Sequence, residues 1–171
     1  MKNYWIISDT HFGHENVKKY CGRPDDFENI TFENLKKIPE EDVLIHLGDV
    51  AFGNTKEMHE KYIKPIKCKK ILILGNHDRK GKQWFLSNGW DEVFKSGELK
   101  IVLRGGKMIV FSHIKLLEEE TVNYSYNIFG HVHEKEIELT KKQIVYSLEK
   151  EGYRPVLLEE LINRSCGNIS L

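Results

Sequence analysis

Short apolar runs recur along this chain, and each of them ends abruptly in polar residues. The runs are three to five residues long, rich in Ile, Val and Leu, and bounded by Gly, Asn or Asp. Such runs are typical of buried β-strands. We therefore predict strands at residues 4–8, 43–47, 71–74, 108–112 and 127–129.

Helical patterns separate the first three strands. Residues 15–20, 31–38 and 55–62 predict helices, and Thr31 is a suitable N-cap for the second of them. His59 falls on a polar helix and is expected to be solvated. Strands that alternate with helices predict an α/β sheet with right-handed crossovers.

The second half of the chain follows a different pattern. Gly105-Gly106 predicts a hairpin turn, and residues 155–162 predict a closing helix with Pro155 in its first turn. Closely spaced strands are predicted at residues 90–94, 98–104, 107–111 and 143–147. A parallel half and a hairpin-rich half together predict an α/β fold, in which a two-sheet β-sandwich is flanked by helices.

Composition restricts the class of protein. The chain has 171 residues without a long linker, so we expect one domain over residues 1–171. Hydrophobic residues make up 40% of it, which is enough for a core and excludes wholesale disorder. Lys and Arg number 26, as do Asp and Glu, and this zero net charge argues against extended nucleic-acid binding.

The expected location is the cytoplasm. The apolar runs are far shorter than the roughly 20 residues that cross a bilayer, so no membrane association is predicted. Ser8 and Asp9 arrive before a signal-peptide core could form. The three cysteines, Cys21, Cys68 and Cys166, are an odd number without a CxxC pair and are expected to be reduced thiols.

The candidate metal-binding and catalytic residues stand directly after the predicted strands. Ligand sites in open α/β sheets form beyond the carboxyl ends of the strands, so we expect these side chains to converge at one edge. They are two carboxylates, one amide and five imidazoles, namely Asp9, His11, Asp49, Asn76, His77, His113, His131 and His133. Oxygen and nitrogen ligands without thiolates suit ions such as Mn²⁺, Fe or Zn²⁺. Seven ligands exceed the needs of one ion and match two ions that share a carboxylate.

Five motif blocks carry a family resemblance. In order along the chain they are Asp9-x-His11, Gly48-Asp49, Gly75-Asn76-His77-Asp78, His113 and Gly130-His131-x-His133. The series resembles the calcineurin-like metallophosphoesterase superfamily, whose domain is a four-layer αββα sandwich. Residues 7–14, 22–24, 46–50 and 153–155 further resemble a compact, single-domain group of this superfamily from bacteria and phages.

The resemblance implies a role for each motif residue. One metal ion would be held by Asp9, His11 and His133. The other would be held by Asn76, His113 and His131, with Asp49 as the bridge. His77 would not bind metal and would point at the phosphoryl group, and our hypothesis is that it donates a hydrogen bond or proton on the leaving-group side.

Several roles stay open at the level of sequence. Asp78 either orients the His77 loop or caps a turn. His14 either lines the site or lies outside it. Arg23 and Arg79 are candidates for contact with a substrate phosphate, or are surface ion-pair residues.

The predicted function is hydrolysis of a phosphoester by a dinuclear centre of Mn, Fe, Zn or Ni. Two divalent ions bind phosphoryl oxygens and lower the pKa of a bound water, which makes hydroxide available at neutral pH. The chain has no room for a large cap domain, so the site is expected to be open. An open site favours a phosphodiesterase on small or nucleotide-like substrates. The alternatives are a phosphomonoesterase, a non-catalytic protein-binding module on the same fold, and a one-metal structural site.

Overall fold

A computed structural model describes residues 2–53 and 55–167 of the chain. Within these ranges, nine strands form two mixed sheets with flanking helices. The strands are β1 Tyr4–Ile7, β2 Val43–His46, β3 Lys69–Ile73, β4 Glu92–Phe94, β5 Lys100–Val102, β6 Met108–Phe111, β7 Tyr126–Phe129, β8 Gln143–Val145 and β9 Val156–Leu157. The helices are α1 Glu15–Tyr20, α2 Phe27–Leu35, α3 Thr55–Met58, a π-helical continuation His59–Ile63, α4 Lys82–Ser87, a 3₁₀ turn Glu119–Thr121 and α5 Leu158–Gly167.

The first sheet has the strand order β4-β3-β2-β1-β9. Its first four strands are parallel, and β9 adds to the outer edge of β1 in the antiparallel direction. All four residues of β2 are buried, as expected of a central parallel strand that is covered on both faces. The predicted α/β architecture with crossover helices is confirmed for this half.

The second sheet has the order β5-β6-β7-β8. Strands β6, β7 and β8 are parallel, and β5 pairs with β6 as an antiparallel hairpin. Buried side chains of both sheets, such as Ile45 and Phe111, belong to one continuous hydrophobic core. The sheets therefore pack face to face as the predicted sandwich.

Four sequence predictions about elements were wrong. The second helix begins at Phe27, not at Thr31, whose hydroxyl donates to the Phe27 carbonyl oxygen one turn back inside α2. The helix predicted over residues 55–62 is only four residues of α-helix, followed by the wider π-helical turn. The second half is mainly parallel, with a single hairpin in the described ranges. The closing segment starts as β9, because Val156 and Leu157 complete the free edge of β1, and the helix follows at Leu158.

The prediction that His59 is solvated was also wrong. His59 is fully buried, and its ring contacts those of Trp84, Phe85 and Trp90. Trp84 and Phe85 belong to α4, a short helix that the pattern of the sequence did not predict. The polar appearance of the segment around His59 was misleading because α4 covers it.

Two further observations concern the predicted class of protein. No helix in the described part of the chain combines the length and the apolar character that crossing a membrane requires. Cys21 and Cys68 are free thiols. The side chain of Cys166 lies outside what the structure describes.

Candidate metal centre

The site forms where the carboxyl ends of five strands meet. The loops after β1, β2 and β3 of the first sheet face the loops after β6 and β7 of the second. Hydrogen bonds hold these loops together. Between the loops after β1 and β2, Asp9 N–H donates to the Gly48 carbonyl oxygen at 2.9 Å. Across the two sheets, His131 N–H donates to Asp9 Oδ2 at 2.8 Å.

The structure brings all seven predicted ligands together in two neighbouring clusters. Donor atoms of Asp9, His11 and His133 all lie within 4.8 Å of one another. Donor atoms of Asp49, His113 and His131 do the same. Asn76 joins the second cluster, since its Oδ1 lies 2.9 Å from His113 Nε2.

Asp49 lies between the clusters. Its Oδ2 is 3.7 Å from His11 Nε2 on one side and 3.4 Å from His113 Nε2 on the other. Its Oδ1 accepts the backbone N–H of His77 at 2.9 Å. One carboxylate oxygen is thus fixed by the chain, and the other faces ligands of both clusters.

The backbone of the site is strained. Five of the seven predicted ligands have a positive φ: Asp9 at 54°, His11 at 47°, Asp49 at 58°, His131 at 71° and His133 at 53°. Non-glycine residues rarely adopt this left-handed region, and such strain concentrates at functional sites. Among the other described residues, only Tyr153 and glycines share it. Sharp turns of this kind let each short loop direct its side chain back across the strand end.

Two glycines allow the loops to approach closely. A Cβ atom on Gly75 would overlap Asp49 Oδ1, and one on Gly130 would overlap Ser8 Oγ and Asp9 Oδ2. Both positions therefore require a residue without a side chain. Steric overlap with Asp49, Ser8 and Asp9 thus explains why glycine precedes Asn76 and His131 in the motifs.

The donor atoms fit a pair of divalent cations. Asp9 is 2% exposed, and its Oδ1 atom is buried without a hydrogen-bond partner among the described residues. A buried carboxylate oxygen without a partner is costly, and a cation would satisfy it. The whole set, with two carboxylates, one amide and four imidazoles, is a ligand environment that Mn, Fe, Zn or Ni accepts.

The two carboxylates keep their negative charge. Burial alone would raise the pKa of Asp9 and Asp49, but the neighbouring imidazoles lower both pKa values below the usual range. Burial lowers the pKa of His113, and the carboxylates of Asp49 and Asp9 more than offset this and raise it to about 9. Metal ligation needs ionised carboxylates, and Asp9 and Asp49 are ionised at neutral pH.

Hydrogen bonds outside the two clusters orient several ligands. Asp78 accepts the N–H groups of Asp49, Val50 and Gly75 at 2.7, 3.1 and 2.9 Å, which ties the loop after β2 to the loop after β3. Asp78 therefore orients the His77 loop, which was one of its two possible roles at the level of sequence. The Nδ1–H of His113 donates to the Leu47 carbonyl oxygen at 2.8 Å and leaves Nε2 for the cluster.

Glu149 is a functional candidate that sequence reasoning missed. It accepts the Nδ1–H of His133 at 3.1 Å and pairs with Arg23 Nη2 at 2.6 Å. Arg23 is buried, and the same Nη2 donates to the Asp9 carbonyl oxygen at 2.8 Å. Burial raises the pKa of Glu149, but His133 and Arg23 lower it to about 2. Arg23 is therefore a buried supporting residue and not a surface one.

The remaining candidates lie on the rim of the site. The side chain of His77 is 35% exposed, with Nε2 4.0 Å from Asp49 Oδ2. His14 caps α1 by accepting the Val17 N–H on Nδ1 at 2.8 Å, and its ring lies 5.7 Å from that of His11. Arg79 is exposed and lines a groove beside His77.

Comparisons with known proteins agree with this geometry. A family model of the calcineurin-like phosphoesterase superfamily domain matches residues 3–147. The uncharacterized protein MJ1445 of Methanocaldococcus jannaschii is 25% identical over an alignment of 177 positions, which covers 95% of this chain and 90% of that protein.

Solved structures share the fold. The protein of unknown function AQ665 from Aquifex aeolicus is 27% identical, with a TM-score of 0.77 over 96% of this chain and 100% of that chain. The nuclease MPE of Pseudomonas putida has a TM-score of 0.50 and 20% identity, covering 76% of this chain and 61% of that one. At that identity, the likeness to the nuclease concerns the fold alone.

Proposed function

Since the chain belongs to the calcineurin-like phosphoesterase superfamily and is a metal-dependent phosphoester hydrolase, we propose that it is a dinuclear phosphodiesterase acting on small or nucleotide-like substrates. The observation that carries the proposal is the position of Asp49, whose Oδ2 faces ligands of both clusters. A carboxylate that faces two neighbouring ligand sets can serve a pair of ions.

In this proposal, Asp9, His11 and His133 would hold one ion, and Asn76, His113 and His131 would hold the other. Asp49 would serve both ions. Mn, Fe, Zn and Ni are the candidate metals. When bound, such a pair supplies Lewis-acid stabilisation of the phosphoryl oxygens and a water of lowered pKa as nucleophile.

His77 is the proposed acid on the leaving-group side. It belongs to neither ligand cluster, and its partly exposed imidazole lies at the mouth of the site beside Asp49. Its backbone N–H bond to Asp49 fixes the position of its loop relative to the bridging carboxylate. A proton or hydrogen bond from this imidazole would neutralise the leaving oxygen as its bond to phosphorus breaks, a contribution of about 10²–10⁴-fold.

The openness of the rim supports a diester substrate. His131 and Asn76 are exposed, and a groove of 240 Å³ adjoins His77. A phosphodiester carries a substituent on each side of the phosphoryl group, and an open rim gives both of them room.

We also propose that the chain forms one domain, because both sheets share a core, and that it is cytoplasmic, because Cys21 and Cys68 are free thiols.

Hydrolysis of chromogenic esters tests the proposal. Bis(p-nitrophenyl) phosphate and p-nitrophenyl phosphate are compared with Mn²⁺, Fe²⁺, Zn²⁺ or Ni²⁺ added, and elemental analysis gives the metal content. We expect the diester to have the higher kcat/KM and the protein to bind two ions per chain. A higher kcat/KM for the monoester would instead indicate a phosphomonoesterase. Absence of turnover with every ion would favour a binding module, and one ion per chain would indicate a structural site.

Two substitutions separate the roles of acid and ligand. His77→Asn is expected to lower kcat by about 10²–10⁴-fold while the metal content stays at two ions, because only the acid is lost. Asp49→Asn is expected to lower metal content and activity together, because the shared charge is lost. Elemental analysis and steady-state kinetics with thymidylyl-(3′→5′)-thymidine, whose alcohol leaving group needs a proton, make the comparison on the same samples. Unchanged turnover of this ester in His77→Asn with both ions bound would refute the acid role.

A further inference from the structure

A groove opens beside His77, between the loops that follow β2 and β3. Its volume is 240 Å³. Its lining consists of residues 51–53 and 55 after β2, and of residues 77–80 and Phe85 after β3. Because His77 belongs to this lining, whatever occupies the groove touches the proposed leaving-group side of the site.

Phe52 is an aromatic side chain held at the surface of this groove. It is 43% exposed, and its ring centroid lies 5.6 Å from that of His77 and 4.4 Å from that of His14. Its backbone is fixed, since Phe52 N–H donates to the Phe12 carbonyl at 2.8 Å and Phe12 N–H donates to Val50 at 3.0 Å. The ring thus lies next to the proposed acid, and the hydrophobic core does not include it.

The part of the lining that follows β3 is cationic. Arg79 and Lys80 are both exposed, and neither forms an ion pair with a carboxylate in the described part of the chain. Unpaired cations beside an aromatic surface favour a planar ring that is attached to an anionic phosphoryl group. Nucleotides have both features, and bases stack on aromatic side chains with little dependence on sequence.

We propose that this groove is the leaving-group subsite for a nucleotide-like phosphodiester, with Phe52 as the platform on which the base of the departing nucleoside stacks. The inference rests on the proposed function, because it assigns the substrate of the same site. In the reaction, water supplies the oxygen that stays on phosphorus, and the P–O bond to the nucleoside breaks. The nucleoside oxygen departs with a proton.

Two substrates with a common product test the subsite. Thymidylyl-(3′→5′)-thymidine and the methyl ester of thymidine 3′-phosphate both yield thymidine 3′-phosphate when the alcohol on the other side leaves. The two alcohols differ in whether they carry a base. Base stacking on an aromatic side chain is worth about 5- to 150-fold, so we expect a kcat/KM ratio of this size in favour of the dinucleotide. Chromatography of the products gives both rates.

Phe52→Ala is expected to reduce this ratio by about fivefold or more, and Phe52→Trp is expected to retain it. The ratio is internal to each variant, so a partly unfolded sample does not change it. Val102→Ala is the matched control: Val102 is 62% exposed and pairs with Met108 at the start of β6, whereas His113 follows the other end of that strand. The control should leave both rates unchanged.

The outcomes distinguish the inference from the function on which it rests. Equal kcat/KM values for the two esters in the parent protein, or an undiminished preference in Phe52→Ala, would overturn the subsite. If bis(p-nitrophenyl) phosphate is still cleaved, the phosphodiesterase proposal stands without it. A protein that cleaves no phosphodiester with any added ion would refute both.

Discussion

Glu149 and Arg23 show how one buried ion pair supports a candidate metal ligand. Glu149 accepts the Nδ1–H of His133, which fixes the tautomer and leaves Nε2 for the cluster with Asp9 and His11. Arg23 holds Glu149 in place and also binds the Asp9 carbonyl oxygen. Both partners therefore act on the same cluster through hydrogen bonds.

Substitution of Glu149 is expected to weaken metal binding selectively. Glu149→Gln should lower the affinity of the Asp9 cluster for its ion by about 10- to 100-fold, the usual effect of losing such a supporting carboxylate. Competition with a chelator of known affinity measures it. Glu151→Gln is the matched control, because Glu151 pairs with Arg164 outside the site. Equal metal affinities of the two variants would contradict this role.

At the level of single residues, the sequence predicted the metal ligands but not the residues that hydrogen-bond to them. Six of the seven ligands stand in short motifs and His113 stands alone, and the structure gathers all of them. Glu149 stands in no such motif, and its role comes from contact with Arg23, a residue 126 positions away. Contacts of this kind depend on tertiary structure and leave no local pattern.

The loops at the strand ends are the elements that build the site. Each is short, and two bonds from Asp49 and Val50 N–H groups to Asp78 join the loop after β2 to the loop after β3. The loops can approach because Gly75 has no side chain where Asp49 passes. The position of the bridging carboxylate is thus a property of two loops together.

Gly75→Ala is expected to displace Asp49. The added methyl group would overlap Asp49 Oδ1 and its backbone nitrogen, so the variant should lose about 1–3 kcal/mol of unfolding free energy. It should also lose bound metal. Gly81→Ala, in the same loop region, is the control, because its Cβ would meet no atom within 4 Å. Chemical denaturation and elemental analysis compare the two, and a Gly75→Ala protein as stable as Gly81→Ala would contradict the steric explanation.

Elements were predictable where the signal is local. The apolar runs located the strands that precede the ligands, because buried parallel strands are continuous hydrophobic segments. Strand β9 was missed, since Val156 and Leu157 are extended only through pairing with β1. The start of α2 was missed because Thr31 resembles a cap in the sequence, although its hydroxyl bonds inside the helix.

At the scale of the whole molecule, buried titratable groups set the response to acid. His59 is fully buried among aromatic rings, and burial lowers its pKa to about 4 from an ordinary 6.5. Between these values the unfolded chain binds more protons than the folded one. Stability therefore falls as pH decreases from 6.5 towards 4, and His59 accounts for about 3 kcal/mol of the fall.

His59→Gln should flatten this pH dependence. The variant lacks the titrating imidazole, so its unfolding free energy should fall less steeply than that of the parent between pH 6.5 and 4. Urea denaturation in the presence of a chelator measures both proteins, and the chelator removes any contribution from metal release. Parallel curves for the two proteins would show that His59 does not titrate in this range.

Each ligand cluster draws on both sheets, since the loops after β1, β2 and β3 supply Asp9, His11, Asp49 and Asn76, and those after β6 and β7 supply His113, His131 and His133. An ion bound in either cluster would therefore cross-link the two sheets of the sandwich. The centre can be complete only after the layers have docked, so metal capture would come late in folding. Removal of the metal would then lower the free energy of unfolding, because the ligands of each ion come from both sheets.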